Sequence, residues 1–198
     1  MAKLHFYYSA MNAGKSTIML QSSYNYNERG MDTLLFVPSV DTRYGEGKIT
    51  SRIGIDANAI AIDNKFDLYQ YVSKALKNNN NIKCVLLDEA QFLTKDQVLQ
   101  LAYITDDFHL PVLTYGLRTD FKGEPFEGSK YLLALADNLI EIKTICHCGK
   151  KAIMNLRVDA NGDAVNEGAQ VEIGGNERYV AVCRKHYRDG KMKKSDNE

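Results

Sequence analysis

The sequence lacks an excess of charge of either sign, because 25 lysine and arginine residues are matched by 25 aspartate and glutamate residues. This balance excludes a bulk electrostatic preference for nucleic acid or for an anionic membrane. The sequence also lacks an apolar run approaching the roughly 20 residues that span a bilayer. Strand-like residues follow Met1 directly and leave no room for a signal peptide. We therefore expect a cytoplasmic protein that binds neither membrane nor nucleic acid.

Cysteine is scarce as well, with four residues in a chain of 198. In the cytoplasm, this usage favours metal ligands or buried thiols over disulfides. The chain is long enough to bury a substantial core, and its length predicts one domain or one domain with an appendage.

Alternating strand-like and helix-like segments over residues 1–143 predict an α/β fold with a doubly wound, mostly parallel sheet. The predicted strands cover residues 4–8, 33–37, 84–87 and 111–115, and the predicted helices cover residues 14–28, 66–77, 94–104 and 129–136. The run CVLL at residues 84–87 is typical of a central parallel strand. Residues 41–54, DTRYGEGKITSRIG, are polar and punctuated by glycine, so they predict a mobile loop.

The pattern of alternating strand-like and helix-like segments ends after residue 143. Paired cysteines, the turn DANGD at residues 159–163 and β-like runs such as residues 171–173 predict a small β module over residues 144–189. Residues 190–198 are predicted to form a disordered, solvated tail.

The segment SAMNAGKST at residues 9–17 ends like a phosphate-binding P-loop but does not begin like one. Gly14, Lys15 and Ser16 match the motif, whereas Ser9 replaces its first glycine. Backbone N–H groups at the start of the following helix would bind phosphate oxygens. Lys15 would reach the outer phosphates, and the Ser16 hydroxyl would coordinate Mg²⁺. The candidate phosphate-binding residues are Ser9, Ala10, Met11, Asn12, Ala13, Gly14, Lys15, Ser16 and Thr17.

An acidic pair, Asp88-Glu89, follows the apolar run at residues 84–87. An acid at the end of a central strand beside a P-loop typically holds Mg²⁺, so Asp88 is a candidate metal ligand and phosphate-site residue. Glu89 is a candidate general base that accepts a proton from an attacking hydroxyl. The alternatives are a chance Gly-Lys-Ser turn and an acidic pair that merely caps the next helix. The two motifs together favour nucleotide binding.

Three classes of protein share these motifs, namely switch GTPases, ATP-driven motors and small-molecule kinases. The sequence NKFD at residues 64–67 matches a guanine-reading motif, but it precedes Asp88 instead of following it, and no glycine lies two positions after Glu89. We therefore interpret NKFD as the start of a helix. The chain is short for a motor and has no second, arginine-rich subdomain, which favours a kinase with a second small-molecule pocket.

Cysteine and histidine cluster near the end of the chain as candidate metal ligands. Cys146 and Cys148 are followed by Cys183 and His186 in a Cys-x-x-His spacing. Three thiols and one imidazole predict a closed, structural Zn²⁺ site. His147 is an alternative ligand, although we expect its side chain to point away if both neighbouring cysteines turn inward. Cys84, inside the apolar run, is predicted to be a core residue.

A zinc site that joins the ends of residues 144–186 would hold the intervening chain as a lasso loop. This loop contains Gly174-Gly175, which permits close approach of the backbone to a ligand, and Tyr179, which offers an aromatic face. A hairpin turn with a core tyrosine explains these residues equally well.

The motifs AGKST, DTRYG, DEAQF, GLRTDFKGEPF and IGGNERY, together with the cysteine pairs, resemble the zinc-containing, cytosolic-type (type II) thymidine kinases, including bacterial members. The resemblance extends from residue 4 to residue 187. It implies transfer of the γ-phosphate of ATP to the 5′-hydroxyl of thymidine, giving thymidine monophosphate in nucleotide salvage. It also implies a P-loop domain over residues 1–143 and a zinc-binding β module with a lasso loop over residues 144–189.

The resemblance further assigns roles to individual residues. Glu89 would be the general base. Lys15 and Arg43 would stabilise the negative charge of the reacting phosphates. Asp41 would lie beside Arg43 and contact the substrate. The remaining implied contacts are Gln91 with the phosphates, and Phe92, Leu117, Phe121, Phe126, Val171, Ile173, Gly174, Gly175 and Tyr179 with thymidine.

The family pattern also sets expectations for assembly and for the alternatives. Members are commonly homotetramers and are often inhibited by thymidine triphosphate, so both properties are expected here. Ser9 and His186 depart from the pattern, since many members have a glycine and a fourth cysteine at these positions. The alternative enzyme is a broader deoxypyrimidine nucleoside kinase. The alternative from another class is a nucleotide-gated binding protein whose zinc module contacts a protein or nucleic acid through Arg178, Arg184 and Lys185.

Overall fold

The fold is described for residues 1–40, 47–159, 161–165, 167–170 and 178–190 in a computed structural model. The strands are β1 (Leu4–Ser9), β2 (Asp32–Pro38), β3 (Lys48–Thr50), β4 (Asp56–Asn58), β5 (Ile60–Ile62), β6 (Ile82–Leu87), β7 (Val112–Leu117), β8 (Asn138–Glu141), β9 (Thr144–Ile145), β10 (Lys151–Ala152), β11 (Met154–Arg157) and β12 (Tyr179–Val182). The helices are α1 (Lys15–Asn27), α2 (Leu68–Asn78), α3 (Lys95–Phe108), α4 (Glu127–Leu135) and α5 (Arg184–Asp189), and a 3₁₀ turn covers Ala90–Phe92.

Six strands form one sheet in the order β5-β2-β6-β7-β1-β8. Each neighbouring pair in this sheet runs parallel. Strands β6 and β7 lie in the middle and are almost wholly buried, as the apolar run at residues 84–87 predicts. The predicted α/β fold with a mostly parallel sheet is therefore confirmed.

Successive side chains of a central strand point to opposite faces of the sheet. Because these side chains are apolar on both faces, helices cover both faces. On one face, Met19 of α1 belongs to an apolar cluster with Cys84 and Leu86 of β6. On the other face, α2, α3 and α4 pack around a cluster that includes Val85 and Leu87. Cys84 is fully buried, which confirms its prediction as a core residue.

Side-chain caps fix where two of the helices begin. Asp67 caps α2 by accepting a hydrogen bond from the Gln70 backbone N–H at 2.8 Å, so NKFD at residues 64–67 is the start of a helix. Thr94 and Gln97 form the predicted capping box of α3. These caps begin α2 and α3, whose apolar sides pack on the sheet.

The segment predicted as a polar loop, residues 41–54, contains structure that the sequence analysis does not anticipate. Strand β3 pairs with β4 in an antiparallel hairpin, and Ile49 is only 3% exposed. The loop prediction is therefore wrong for residues 48–50, because a three-residue strand with one apolar side chain has no visible alternation. Residues 41–46 lie outside the described residues. The short edge strands β5 and β8 are also absent from the predicted set, and α3 extends four residues beyond its predicted end at residue 104.

After β8, short antiparallel pairs replace the parallel sheet. β9 pairs with β10, β11 pairs with β12, and α5 follows. The module has its own apolar cluster, which includes Leu156, Val182 and the two buried cysteines Cys146 and Cys183. Residues 171–177 and 191–198 lie outside the described residues, so the β run at residues 171–173 and the disordered tail stay predictions. The domain boundary at residue 143 also stays a prediction. Among the helices that the structure describes, none has the length and apolarity to cross a membrane.

Candidate functional site

The segment at residues 9–17 joins the end of β1 to the start of α1. Gly14 precedes the helix with φ at 84°, in the left-handed region, and Asn12 also has positive φ at 63°. This path turns the chain sharply between the end of β1 and the start of α1. No acidic side chain lies in the first turn of the helix. The arrangement can bind an anion, because the helix dipole and the N–H groups of the first turn, which have no acceptor within the helix, both favour negative charge there.

Lys15 folds back over this loop. Its Nζ atom donates to Ser9 Oγ at 3.1 Å and lies 3.5 Å from the Ala10 carbonyl oxygen. The Ser9 hydroxyl in turn donates to the Ala10 carbonyl at 2.6 Å. Ser9 is therefore an integral part of the loop and contacts the lysine directly. The sequence alone gives no signal of this contact.

Ser16 and Asp88 meet across 72 residues of sequence. Ser16 Oγ donates to Asp88 Oδ2 at 2.7 Å. Asp88, directly after β6, is only 3% exposed, and this burial, together with the neighbouring Glu89, raises its pKa to about 6. A hydroxyl and a carboxylate oxygen are ligands that Mg²⁺ prefers. The two predicted metal ligands are thus close enough to share one ion.

Glu89 begins a tight turn at the end of β6. Its backbone is in the left-handed region, with φ at 49° and ψ at 38°, and its N–H donates to Asp88 Oδ1 at 2.9 Å. The Gln91 side-chain amide donates to Glu89 Oε2 and accepts from the Leu117 backbone N–H at 3.0 Å. The predicted phosphate role of Gln91 stays a prediction, since its amide here contacts Glu89 and β7.

Aromatic side chains predicted to contact the second substrate form two edge-to-face pairs. Phe92 and Phe126 have ring centroids 5.7 Å apart at an interplanar angle of 83°. Phe121 and Tyr179 have centroids 6.2 Å apart at 60°. The Arg157 guanidinium lies 5.2 Å from the centroid of Phe121. Such rings supply flat apolar surface against which a base can stack.

Six predicted site residues fall on segments that the structure does not describe. Their roles therefore stay predictions: Asp41, Arg43, Val171, Ile173, Gly174 and Gly175.

Asn155 of β11 connects the C-terminal module to the loops at the end of the sheet. Its Oδ1 atom accepts from the Met11 backbone N–H at 2.8 Å, and its Nδ2 atom donates to the Thr119 carbonyl at 3.0 Å. The Tyr187 hydroxyl adds a hydrogen bond of 2.9 Å to the Phe121 carbonyl. Sequence reasoning misses Asn155, because a single asparagine in a short strand carries no motif.

The four predicted metal ligands converge in the C-terminal module. The ligand atoms of Cys146, Cys148, Cys183 and His186 all lie within 4.8 Å of one another. His186 Nδ1 lies 3.2 Å from Cys146 Sγ, and Cys148 Sγ lies 3.9 Å from Cys183 Sγ. A tetrahedral zinc site with Zn–S bonds of about 2.3 Å places its sulfur atoms about 3.8 Å apart. The cluster could therefore hold a metal ion such as Zn²⁺.

One further feature favours metal binding at this cluster. A hydrogen bond from the His186 backbone lowers the pKa of the Cys183 thiol, which favours the thiolate that binds metal. His147 stacks on the His186 ring, with centroids 4.2 Å apart and an interplanar angle of 17°, and its Nδ1 atom lies 3.7 Å from Cys146 Sγ. His147 is thus not among the four residues whose ligand atoms converge, but its side chain lies beside the cluster and does not point away from it as expected.

The fold and site together define an α/β protein with a loop after its first strand that can bind an anion, the buried acid Asp88 and the half-buried Glu89 beside that loop, and an appended Cys₃His cluster. The model of the thymidine kinase family matches residues 2–187. The chain belongs to the thymidine kinase family.

Relatives with this name match nearly the whole chain. The thymidine kinase of Coxiella burnetii is 66% identical over 190 residues, which cover 96% of this chain and 97% of that protein. The thymidine kinase of Legionella pneumophila strain Paris is 62% identical and covers 98% of this chain and 93% of its own. That of Rhodopirellula baltica is 56% identical over 198 residues, covering 100% of this chain and 93% of its own. The resemblance seen in the sequence motifs is confirmed.

Proposed function

We propose that the protein transfers the γ-phosphate of ATP to the 5′-hydroxyl of thymidine and so forms thymidine monophosphate. The observation that carries this proposal is the contact of Ser16 with Asp88, beside Glu89. It joins the loop that can bind an anion to a candidate metal ligand and a candidate base at one end of the sheet. Membership of the thymidine kinase family supports thymidine as the acceptor.

The donor phosphates would lie on the N-terminus of α1. Backbone N–H groups of residues 10–17 would bind the phosphate oxygens, and the Lys15 ammonium would balance the charge of the outer phosphates. Ser16 and Asp88 would hold Mg²⁺, which neutralises phosphate charge when it is bound with ATP. Burial of Asp88 in this site strengthens its interaction with a cation.

The acceptor would approach from the side of Glu89. Its carboxylate would accept the proton of the 5′-hydroxyl as the oxygen attacks the γ-phosphorus atom, and ADP would leave. Arg43 would stabilise the charge of the transition state, and Asp41 would lie beside it. The thymine ring would pack among Phe92, Leu117, Phe121, Phe126 and Tyr179, with hydrogen bonds from the backbone around Val171, Ile173, Gly174 and Gly175.

The C-terminal cluster would have a structural role. A Zn²⁺ ion bound to Cys146, Cys148, Cys183 and His186 has no open position for a substrate. It would hold the module whose Asn155 contacts the phosphate loop. We further propose a cytoplasmic homotetramer that thymidine triphosphate inhibits as the end product.

The proposal is tested by ATP-dependent phosphorylation of a nucleoside panel. Thymidine should be turned over rapidly, deoxyuridine more slowly, and deoxycytidine, deoxyguanosine and uridine hardly at all. Equal turnover of deoxycytidine would instead indicate a broader deoxypyrimidine nucleoside kinase. ATP binding without turnover of any nucleoside would contradict the acceptor assignment, and salt-dependent DNA binding in that case would favour the binding-protein alternative.

A further inference from the structure

We propose that Gln91 is a positioning residue that orients the Glu89 carboxylate for proton transfer. This inference rests on the proposed function, in which Glu89 is the general base. It assigns to Gln91 a role in the chemical step that differs from the phosphate contact implied by its motif.

The contacts of the Gln91 side chain carry the proposal. The side chain is 1% exposed, so its position is fixed by the protein interior. Its Nε2 atom donates to Glu89 Oε2, and its Oε1 atom accepts from the Leu117 backbone N–H at 3.0 Å. Glutamine provides both a donor and an acceptor at this length whatever the pH, whereas an ionised glutamate provides acceptors alone.

The partner on the other side of Gln91 belongs to the central sheet. Leu117 is the last residue of β7 and pairs with Ser9 of β1, whereas β6 pairs with β7 as far as Thr114. The hydrogen bond from its N–H therefore ties the amide to the central sheet. Gln91 transmits this fixed position to the Glu89 carboxylate, two residues earlier in the chain.

The backbone of the turn is packed as closely as the side chain. A Cβ atom on Gly116 would lie 2.9 Å from Gln91 Oε1 and 3.0 Å from the Gln91 backbone nitrogen. A Cβ atom on Gly128 would lie 2.3 Å from the Ala90 carbonyl oxygen. Both glycines therefore let β7 and α4 approach the turn at distances that a side chain would prevent.

Glu89 itself has a backbone conformation that non-glycine residues rarely adopt, with φ at 49°. Such a conformation persists where surrounding contacts over-determine it, and it is common at active sites. The contacts of Gln91, Gly116 and Gly128 provide that support. The structure thus presents the candidate base in a fixed orientation without a contribution from the substrate.

The test replaces Gln91 by Met, which has a similar length but cannot form either hydrogen bond. Misplacement of a base by about 1 Å can lower turnover by about 10²-fold. We therefore expect Gln91→Met to lower kcat by about ten- to a hundredfold, with little change in the Kd of ATP or the KM of thymidine. Gln91→Glu keeps the acceptor for Leu117 N–H but places a second carboxyl group against Glu89, so it should also lower turnover.

A matched control is Gln97→Met. Gln97 is also buried and hydrogen-bonded, but to the Asp63 carbonyl at 2.8 Å and within the capping box of α3. Its replacement should lower thermal stability and leave kcat unchanged. This control separates loss of a buried amide from loss of the contact with Glu89.

A double-mutant cycle gives the decisive result. In a Glu89→Gln background, Gln91→Met should lower kcat no further, because the residue it positions has already lost its basic oxygen. Additive effects, or a weaker Kd for ATP with unchanged kcat, would overturn the inference and favour a phosphate contact. If Glu89→Gln alone leaves kcat unchanged, the base assignment in the proposed function fails instead.

Discussion

Ser9 stands where the phosphate-loop motif has its first glycine, and its hydroxyl makes two hydrogen bonds within the loop. It accepts from Lys15 Nζ at 3.1 Å and donates to the Ala10 carbonyl at 2.6 Å. Ser9 is the last residue of β1 and belongs to the sheet. The small Ser9 side chain therefore fits the turn, and its Oγ atom holds the Lys15 ammonium group in place by a hydrogen bond.

At the same scale, Glu89→Gln tests the proposed base. The amide has nearly the same size as the carboxylate but cannot accept the proton of a hydroxyl. We expect kcat for thymidine to fall by roughly 10²–10⁴-fold, while the Kd of ATP and the melting temperature stay close to those of the unchanged protein. Steady-state kinetics and nucleotide titration measure these quantities.

A suitable control for this substitution is Glu28→Gln, which makes the same chemical change at an exposed position after α1. It should leave kcat unchanged. Turnover at the normal rate by Glu89→Gln would rule out Glu89 as the base.

At the scale of elements, the C-terminal module contains the Cys₃His cluster and is attached to the loops at the end of the sheet by hydrogen bonds. Cys146 and Cys148 lie between β9 and β10, whereas Cys183 and His186 lie at the start of α5. A shared ion would therefore join the two ends of the module. Asn155 would link the module held by this ion to the loop at residues 9–17, because its Oδ1 atom accepts a hydrogen bond from the Met11 N–H.

Loss of one ligand should disturb the module and, through it, the site. We expect freshly purified protein to contain one Zn²⁺ per chain, and Cys183→Ser to lose both the zinc and the folded structure of the module, because structural zinc contributes directly to folding. Metal analysis and circular dichroism measure the two effects. Cys84→Ser, which changes a buried thiol outside the cluster, should retain the zinc.

Absence of zinc from the freshly purified protein would contradict this prediction. So would a Cys183→Ser variant that retains one ion per chain, since the cluster would then not be the site.

The elements also differ in how well the sequence predicts them. Strands β6 and β7 follow from apolar runs, α2 from helical periodicity, α3 from its capping box, and α1 from a stretch without glycine or proline that ends at Gly30. Strands β3, β4 and β5 have three residues each, so neither alternation nor length reveals them. Ile49 is buried in an apolar cluster that includes Met19 and Leu20 of α1. Its burial therefore depends on tertiary packing and not on a local sequence pattern.

At the scale of the whole molecule, the parallel sheet brings separate motifs to one edge. The carboxyl ends of β1 and β6 lie at the same end of the sheet, so Ser16 and Asp88 meet across 72 residues. This convergence could be predicted from the two motifs and the fold class. The contacts of Gln91 with Leu117 and of Asn155 with Met11 could not, because they depend on how side chains pack between elements.

The central claim is that the protein phosphorylates the 5′-hydroxyl of thymidine, and two matched analogues test it most directly. The measurement is ATP-dependent phosphorylation of 3′-deoxythymidine, which keeps the 5′-hydroxyl, and of 5′-deoxythymidine, which keeps only the 3′-hydroxyl. We expect 3′-deoxythymidine to be converted to its 5′-monophosphate and 5′-deoxythymidine not to be phosphorylated. Phosphorylation of 5′-deoxythymidine, or no transfer to thymidine and 3′-deoxythymidine by protein that binds ATP, would contradict transfer to the 5′-hydroxyl of thymidine.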